Sequence, residues 1–176
     1  MDFLEEVKSN QNIVLEVHAG FHRDNVLKAN KLVSDKFGHI LYVTTTKPFT
    51  SMKAELEKEG IDLQKYRFVD CVSKKAALAG AGGNAIFVDS PKSLTELAIA
   101  ISGVVKLKEV DLLFFDSVSP LLVYNDELKV VKFLHYLMVL IKENKTKGIF
   151  VIMANDLARK VVREIELFAD VISWIE

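Results

Sequence analysis

L112-L-F-F-D-S117 sets four apolar residues in a row before an acid and a hydroxyl. A strand with one wet face alternates apolar and polar side chains. A run without alternation suits a strand covered on both faces, as in a parallel sheet wrapped by helices. I149-F-V-I-M153 has the same character, and further apolar runs of strand length stand at Ile13–Val17, Ile40–Thr44, Phe68–Cys71, Ala85–Val88 and Val171–Ile175. Helical patterns fill the intervals. One starts at Asp24 or Asn25, carries Val26, Ala29, Val33 and Phe37 on one stripe, and stops at Gly38. Another runs from Pro48 to Gly60. S93-L-T-E96 has the form of a capping box opening a third. Glu127–Glu143 and Leu157–Phe168 complete the set, and K75-A-A-L-A-G-A-G-G-N84 reads as a loop. Strands alternating with helices on this scale predict an α/β fold with a largely parallel sheet.

The chain has 176 residues, enough for a sizeable core, and no linker or repeat divides residues 1–176, so one domain is expected. Lys and Arg number 23 against 24 Asp and Glu, a net charge of -1. That balance lacks the basic footprint of a nucleic-acid binder, so nucleic acid is not an expected partner. Cys71 is the one cysteine, which excludes an intrachain disulfide and suits a reducing, cytoplasmic setting. MDFLEEVKSN has neither a basic n-region nor an apolar h-region. No apolar run reaches the roughly 18 residues of a spanning helix, so neither a signal peptide nor a membrane is expected. Half of the residues (50%) are apolar and mean hydropathy is +0.21. Glu127–Glu143 is apolar over a broad arc with Phe133 and Leu140 at its margin. A homo-oligomer, most simply a dimer, is the expected cover for it.

Ligands of open parallel sheets collect beyond the carboxyl ends of the strands. Three strands end alike, in F68-V-D-C71, F87-V-D-S90 and F114-F-D-S117, so Asp70, Asp89 and Asp116 should lie near one edge. His18, His22, Thr44–Thr46 and Asn155-Asp156 follow other strands. Carboxylates and imidazoles together can hold a divalent metal or move protons. An aspartate after a strand also commonly caps the next turn or helix. Both readings stand on the sequence. G80-A-G-G-N-A85 fits G-x-G-x-x-A, but a strand follows it where the dinucleotide fingerprint needs a helix. H22-R-D24 lacks the asparagine spacing and Gly-rich loop of a kinase. His135 and Trp174 fall inside apolar patterns and read as core or interface.

In the order of its pieces the chain resembles the RecA-like ATPase core, closest to the KaiC-like proteins of archaea and bacteria. L41-Y-V-T-T-T-K-P48 followed by E59-G-I-D-L-Q-K-Y66 is similar to that family's second core strand with its helix and turn. L112-L-F-F-D-S117 is similar to its Walker B strand, with Asp116 and Ser117 at the end. I165-E-L-F-A-D-V-I-S-W174 resembles the segment that closes the core. The resemblance covers nearly the whole chain. It implies the RecA-like P-loop NTPase fold, an α/β sandwich of three layers around a largely parallel sheet.

It also implies G-x-x-x-x-G-K-[ST] after the first strand, where backbone N–H groups surround phosphates, Lys neutralises charge and Ser/Thr binds Mg²⁺. Laid against that motif without gaps, the chain has His18 and Arg23 at the glycines, with Gly20 and His22 between them. Asp24 stands at the lysine and Asn25 at the Ser/Thr. At ~4 Å and an effective dielectric of about 20 each unit attraction or repulsion is worth roughly 4 kcal/mol, so this charge reversal is severe even when discounted several-fold. Asp24 is further expected to cap the helix start itself, taking the N–H groups a phosphate would use. The family's catalytic glutamate pair falls on Thr46 and Lys47, neither of which is a carboxylate base. The expectation is a domain without ATP hydrolysis and without a cofactor, with Asp116 in a structural role, acting on an unknown protein partner as a regulator or scaffold. One alternative is an unusual enzyme binding ATP with Mg²⁺, or a divalent metal on Asp70, Asp89, Asp116, His18 and His22. The other is an accessory protein in DNA transactions.

Overall fold

The computed structural model describes residues 3–73 and 83–175; most of the loop expected at 75–84 lies outside them. Among the described residues the strands are β1 (Asn12–Val17), β2 (Ile40–Thr44), β3 (Tyr66–Asp70), β4 (Ala85–Phe87), β5 (Leu112–Phe115), β6 (Lys147–Met153) and β7 (Val171–Trp174). The helices are α1 (Phe3–Ser9), α2 (His22–Ser34), α3 (Phe49–Lys58), α4 (Leu94–Val105), α5 (Ser119–Tyr124), α6 (Glu127–Asn144) and α7 (Asp156–Ile165). The strands form a 7-stranded sheet in the order β4-β3-β2-β5-β6-β1-β7, and every pair in it is parallel.

The unalternating strands do what their composition demands. In β5, Leu112 and Phe114 join the core under α1, α2 and α3, whereas Leu113 and Phe115 join the core under α4, α5, α6 and α7. Helices therefore cover both faces, giving three layers. On the first face Tyr42 stacks on Phe114 with ring centroids 5.4 Å apart. α3 ends as its glycine requires: Gly60 has φ 75°, Gly60 N–H bonds to Glu57 O at 3.0 Å and Ile61 N–H to Leu56 O at 3.1 Å. That is a Schellman turn, with Leu56 and Ile61 both in the core beneath it.

Several sequence expectations need correction. α2 begins at His22 after one 3-10 turn, Ala19–Phe21, and not at Asp24 or Asn25; it ends at Ser34, well before Gly38. Gly38 instead helps bind the following loop, its N–H reaching Asp111 Oδ2 at 3.1 Å. Ser93 does occupy the N-cap position of α4, but its side chain makes no cap hydrogen bond; Glu96 Oε2 accepts from Asp89 N–H at 3.4 Å. α7 stops at Ile165 rather than Phe168. Phe133 and Leu140 need no second surface, because both are buried between α6 and its neighbours within this chain. The apolar residues that α6 does expose are Leu128, Tyr136 and Val139. Trp174 lies on edge strand β7, exposed, its Nε1 donating to Glu16 Oε2 at 3.2 Å. His135 stacks on Phe168 at 3.8 Å between centroids. Among the described residues no helix is long and apolar enough to cross a membrane.

One position tests how tightly α6 lies on the sheet. A Cβ at Gly148 would stand 2.4 Å from Ile141 Cδ1 and 2.9 Å from Phe150 Cε2. Gly148→Ala should therefore destabilise the fold by about 1–3 kcal/mol, read as a lower urea midpoint with an unchanged slope. An unchanged midpoint would mean that the helix can lift from the sheet at no cost.

Candidate functional site

The carboxyl ends of β1, β2 and β5 meet at Asp116. Register explains why: Val43 pairs with Phe115 across β2 and β5, so the residues after Thr44 lie beside those after Phe115. Asp116 is fully buried. Its Oδ1 accepts from Thr45 N–H at 3.0 Å and lies 3.1 Å from Thr45 Oγ1, while Oδ2 accepts from Thr46 Oγ1 at 3.0 Å. Burial pushes the Asp116 carboxyl above its ordinary value, and the bonds from Thr45 and Thr46 only partly oppose this. The hydroxyl of Thr45 has one proton, and Ser117 O is closer to it, at 2.6 Å. The shorter contact takes that proton, so Thr45 Oγ1 donates to Ser117 O and its approach to Asp116 Oδ1 is the weaker one. The Ser117 hydroxyl, also buried, has no hydrogen-bond partner among the described residues.

Above this carboxyl lies the turn that follows β1. His18 and Gly20 are exposed, and nothing stands within 4 Å of a Cβ built on Gly20. His22 reaches inward, its Nε2 3.1 Å from Asp116 O. Arg23 Nε lies 3.4 Å from Glu55 Oε1 on α3, and Lys47 Nζ holds both Glu55 oxygens at 2.6 and 2.8 Å. Burial acts to raise the Glu55 carboxyl, but the Lys47 bond and the Arg23 charge outweigh it and hold it below the usual range. These side chains enclose about 60 Å³, against the roughly 300–1,000 Å³ of a typical small-molecule site. The expected self-capping of α2 is corrected here. Its N-cap position is Phe21, no side chain caps it, and Asp24 is exposed in the first turn. Asp24 favours the helix by its charge near the N-terminus rather than by a bond.

The other strand-end carboxylates go separate ways. Asp70 is buried and spent on backbone: Oδ2 takes Phe49 N–H at 2.8 Å, and Oδ1 takes Val72 N–H at 2.7 Å and Ser73 N–H at 2.9 Å. Asp89 is exposed beyond β4. The metal set of Asp70, Asp89, Asp116, His18 and His22 does not assemble; among the described residues no three His, Cys, Asp or Glu side chains are gathered to hold an ion. Cys71 is buried and burial pushes its thiol well up, away from thiolate chemistry. Thr45 was included in the strand-end span Thr44–Thr46, but its bond to Asp116 follows only from β2 and β5 being neighbours. Glu55 was not singled out from sequence, and could have been found only by knowing how α3 lies over the turn.

A parallel sheet with this strand order and helices on both faces is the RecA-like α/β fold, and solved structures share it. The KaiC-like protein PH0186 from the hyperthermophilic archaeon Pyrococcus horikoshii OT3 superposes with a TM-score of 0.64 at 16% identity, over 93% of this chain and 70% of that one. The uncharacterized protein PH0321 from Pyrococcus horikoshii, solved in complex with an unknown peptide, gives a TM-score of 0.67 at 12% identity, over 95% of this chain and 78% of that one. By sequence, the profile of a family of unknown function, DUF7504, matches residues 29–173, and the chain belongs to that family. The match begins after His18–Asn25. No curated protein matches the chain.

Proposed function

We propose that this chain is a RecA/KaiC-type domain that does not hydrolyse ATP and acts in the cytoplasm as a regulatory or scaffolding protein through contacts with other proteins. The observation that carries the reading is the occupied phosphate corner. Asp24 stands where the resemblance puts the lysine, and the space beneath the turn is closed by Glu55 with Arg23 and Lys47. Asp116 has its oxygens committed to Thr45 and Thr46, whereas a Walker B aspartate orders Mg²⁺ together with a P-loop hydroxyl and phosphates. Contact with a partner is consistent with the unknown peptide in the PH0321 structure.

Calorimetry of the protein with Mg-ATP should register no binding, and a micromolar dissociation constant would overturn the reading. Asp24→Lys combined with Asn25→Thr should still give no turnover, because Thr46 and Lys47 supply no carboxylate base. Phosphate release by that double variant would show that another residue activates water.

A further inference from the structure

On the opposite face from α2 and α3, a broad groove of about 970 Å³ runs between α4 and α6. Its builders follow from helical spacing. Thr95, Ala98 and Ile99 lie on one stripe of α4; Lys129, Lys132, Phe133 and Tyr136 lie on one stripe of α6. Phe133 is buried and forms floor, whereas Ile99 is 67% and Tyr136 43% exposed. Tyr124, 57% exposed, stands at the end of α5. The adjoining wall is fixed, since Asn125 Nδ2 donates to Pro91 O at 3.1 Å and to Leu121 O at 3.0 Å. The groove thus offers preformed aromatic and aliphatic anchors on rigid elements.

Its charge is one-sided. Lys92, Lys129 and Lys132 line it, against Glu96 as the sole acid. Among the described residues Lys129 is paired only to Asp126, 3.1 Å away in an exposed pair of small worth. Among the described residues Lys92 and Lys132 have no acidic partner. We propose that this groove docks a short acidic segment of a partner protein, with leucine or aromatic side chains between Ile99, Tyr124 and Tyr136 and carboxylates against the three lysines. The proposal rests on the reading of the chain as a protein-contact module and names its surface. Helix-lined grooves accept such segments through a few spaced anchors, and tyrosine is a frequent energetic centre. The net charge of -1 does not favour a polyanion.

The test is a phage-displayed random dodecapeptide library panned on the full chain. Peptides it enriches should carry Asp or Glu interspersed with Leu, Phe, Tyr or Trp. A fluorescent copy of the leading peptide should bind with an affinity that falls as salt rises. Binding should weaken at least roughly tenfold in Lys129→Glu/Lys132→Glu and, independently on α4, in Ile99→Asp. Circular dichroism verifies the fold of each variant. Enriched peptides without acids, no groove-dependent enrichment, or displacement of the peptide by oligouridylate would overturn the proposal. So would dissociation of a dimer by the same variants, since a second copy would then be the occupant. Peptide binding is read without nucleotide, so Mg-ATP binding beside a positive peptide result would sink the proposed function alone. A negative peptide result without ATP binding would sink only the groove.

Discussion

Asp116→Ala is expected to melt about 10 °C below the wild-type protein, a loss of about 3–5 kcal/mol at the 2–4 °C per kcal/mol usual for a chain of this size. The alanine strands Thr45 N–H and Thr46 Oγ1 beside a newly opened buried space, since each had Asp116 as its partner, while Thr45 Oγ1 keeps Ser117 O. Asp116→Asn should behave quite differently. Its oxygen can take Thr45 N–H while its amide donates to Thr46 Oγ1, leaving the Thr45 proton to Ser117 O. Near-wild-type stability is therefore expected at neutral pH. The pH dependence has a definite sign. Burial raises the folded-state pKa of Asp116, so folding favours the protonated acid. Its contribution is fully present below the ordinary carboxylate value and is lost as pH rises through the raised one. Glu55 and Asp170, whose carboxyls are lowered, work in the opposite direction, adding stability above their ordinary values and losing it in acid. Subtracting the Asp116→Asn curve isolates Asp116: the variant should gain on wild type as pH rises across that window. An asparagine as damaging as alanine would show that the site holds an anion.

Asp70→Ala should lose about 3 kcal/mol, and here asparagine should not rescue it. Among the described residues the two oxygens of Asp70 accept only backbone N–H groups, from Phe49 on one side and from Val72 and Ser73 on the other. An asparagine amide turned either way puts N–H against N–H. The paired substitutions thus distinguish two buried aspartates at equivalent strand ends: one in a hydroxyl network that tolerates a neutral side chain, one that needs both acceptors. Urea midpoints for the four variants give the comparison, and recovery by Asp70→Asn would contradict it.

Sheet strands were the most legible part of the sequence because burial on both faces leaves no polar interruption. Ile40–Thr44 and Leu112–Phe115 have the expected limits, while β1 starts one residue earlier, at Asn12. Helix starts were less legible. Asp24 and Ser93 have the right chemistry for caps, yet α2 begins two residues before Asp24, and the Ser93 hydroxyl makes no cap bond. Local propensity cannot see the preceding turn that sets where the first helical bond forms. α5 is only Ser119–Tyr124, too short to show a period. At the candidate site, Asp116 and Thr46 were visible as separate letters. Their bond depends on β2 and β5 being neighbours, a fact of strand order that no spacing records.

Strand order also sets when this protein can finish folding during synthesis. β4, β3, β2 and β5 draw on an unbroken stretch of chain and can associate as soon as Phe115 has emerged. β1, made before all of them, pairs only with β6 and β7, and its first partner residue is Gly148. At about 5–20 residues per second, the ribosome leaves Ile13, Val14, Leu15 and Val17 waiting for roughly 7–26 s with both edges of their strand open. That delay makes Asn12–Val17 the segment of the nascent chain most in need of a chaperone.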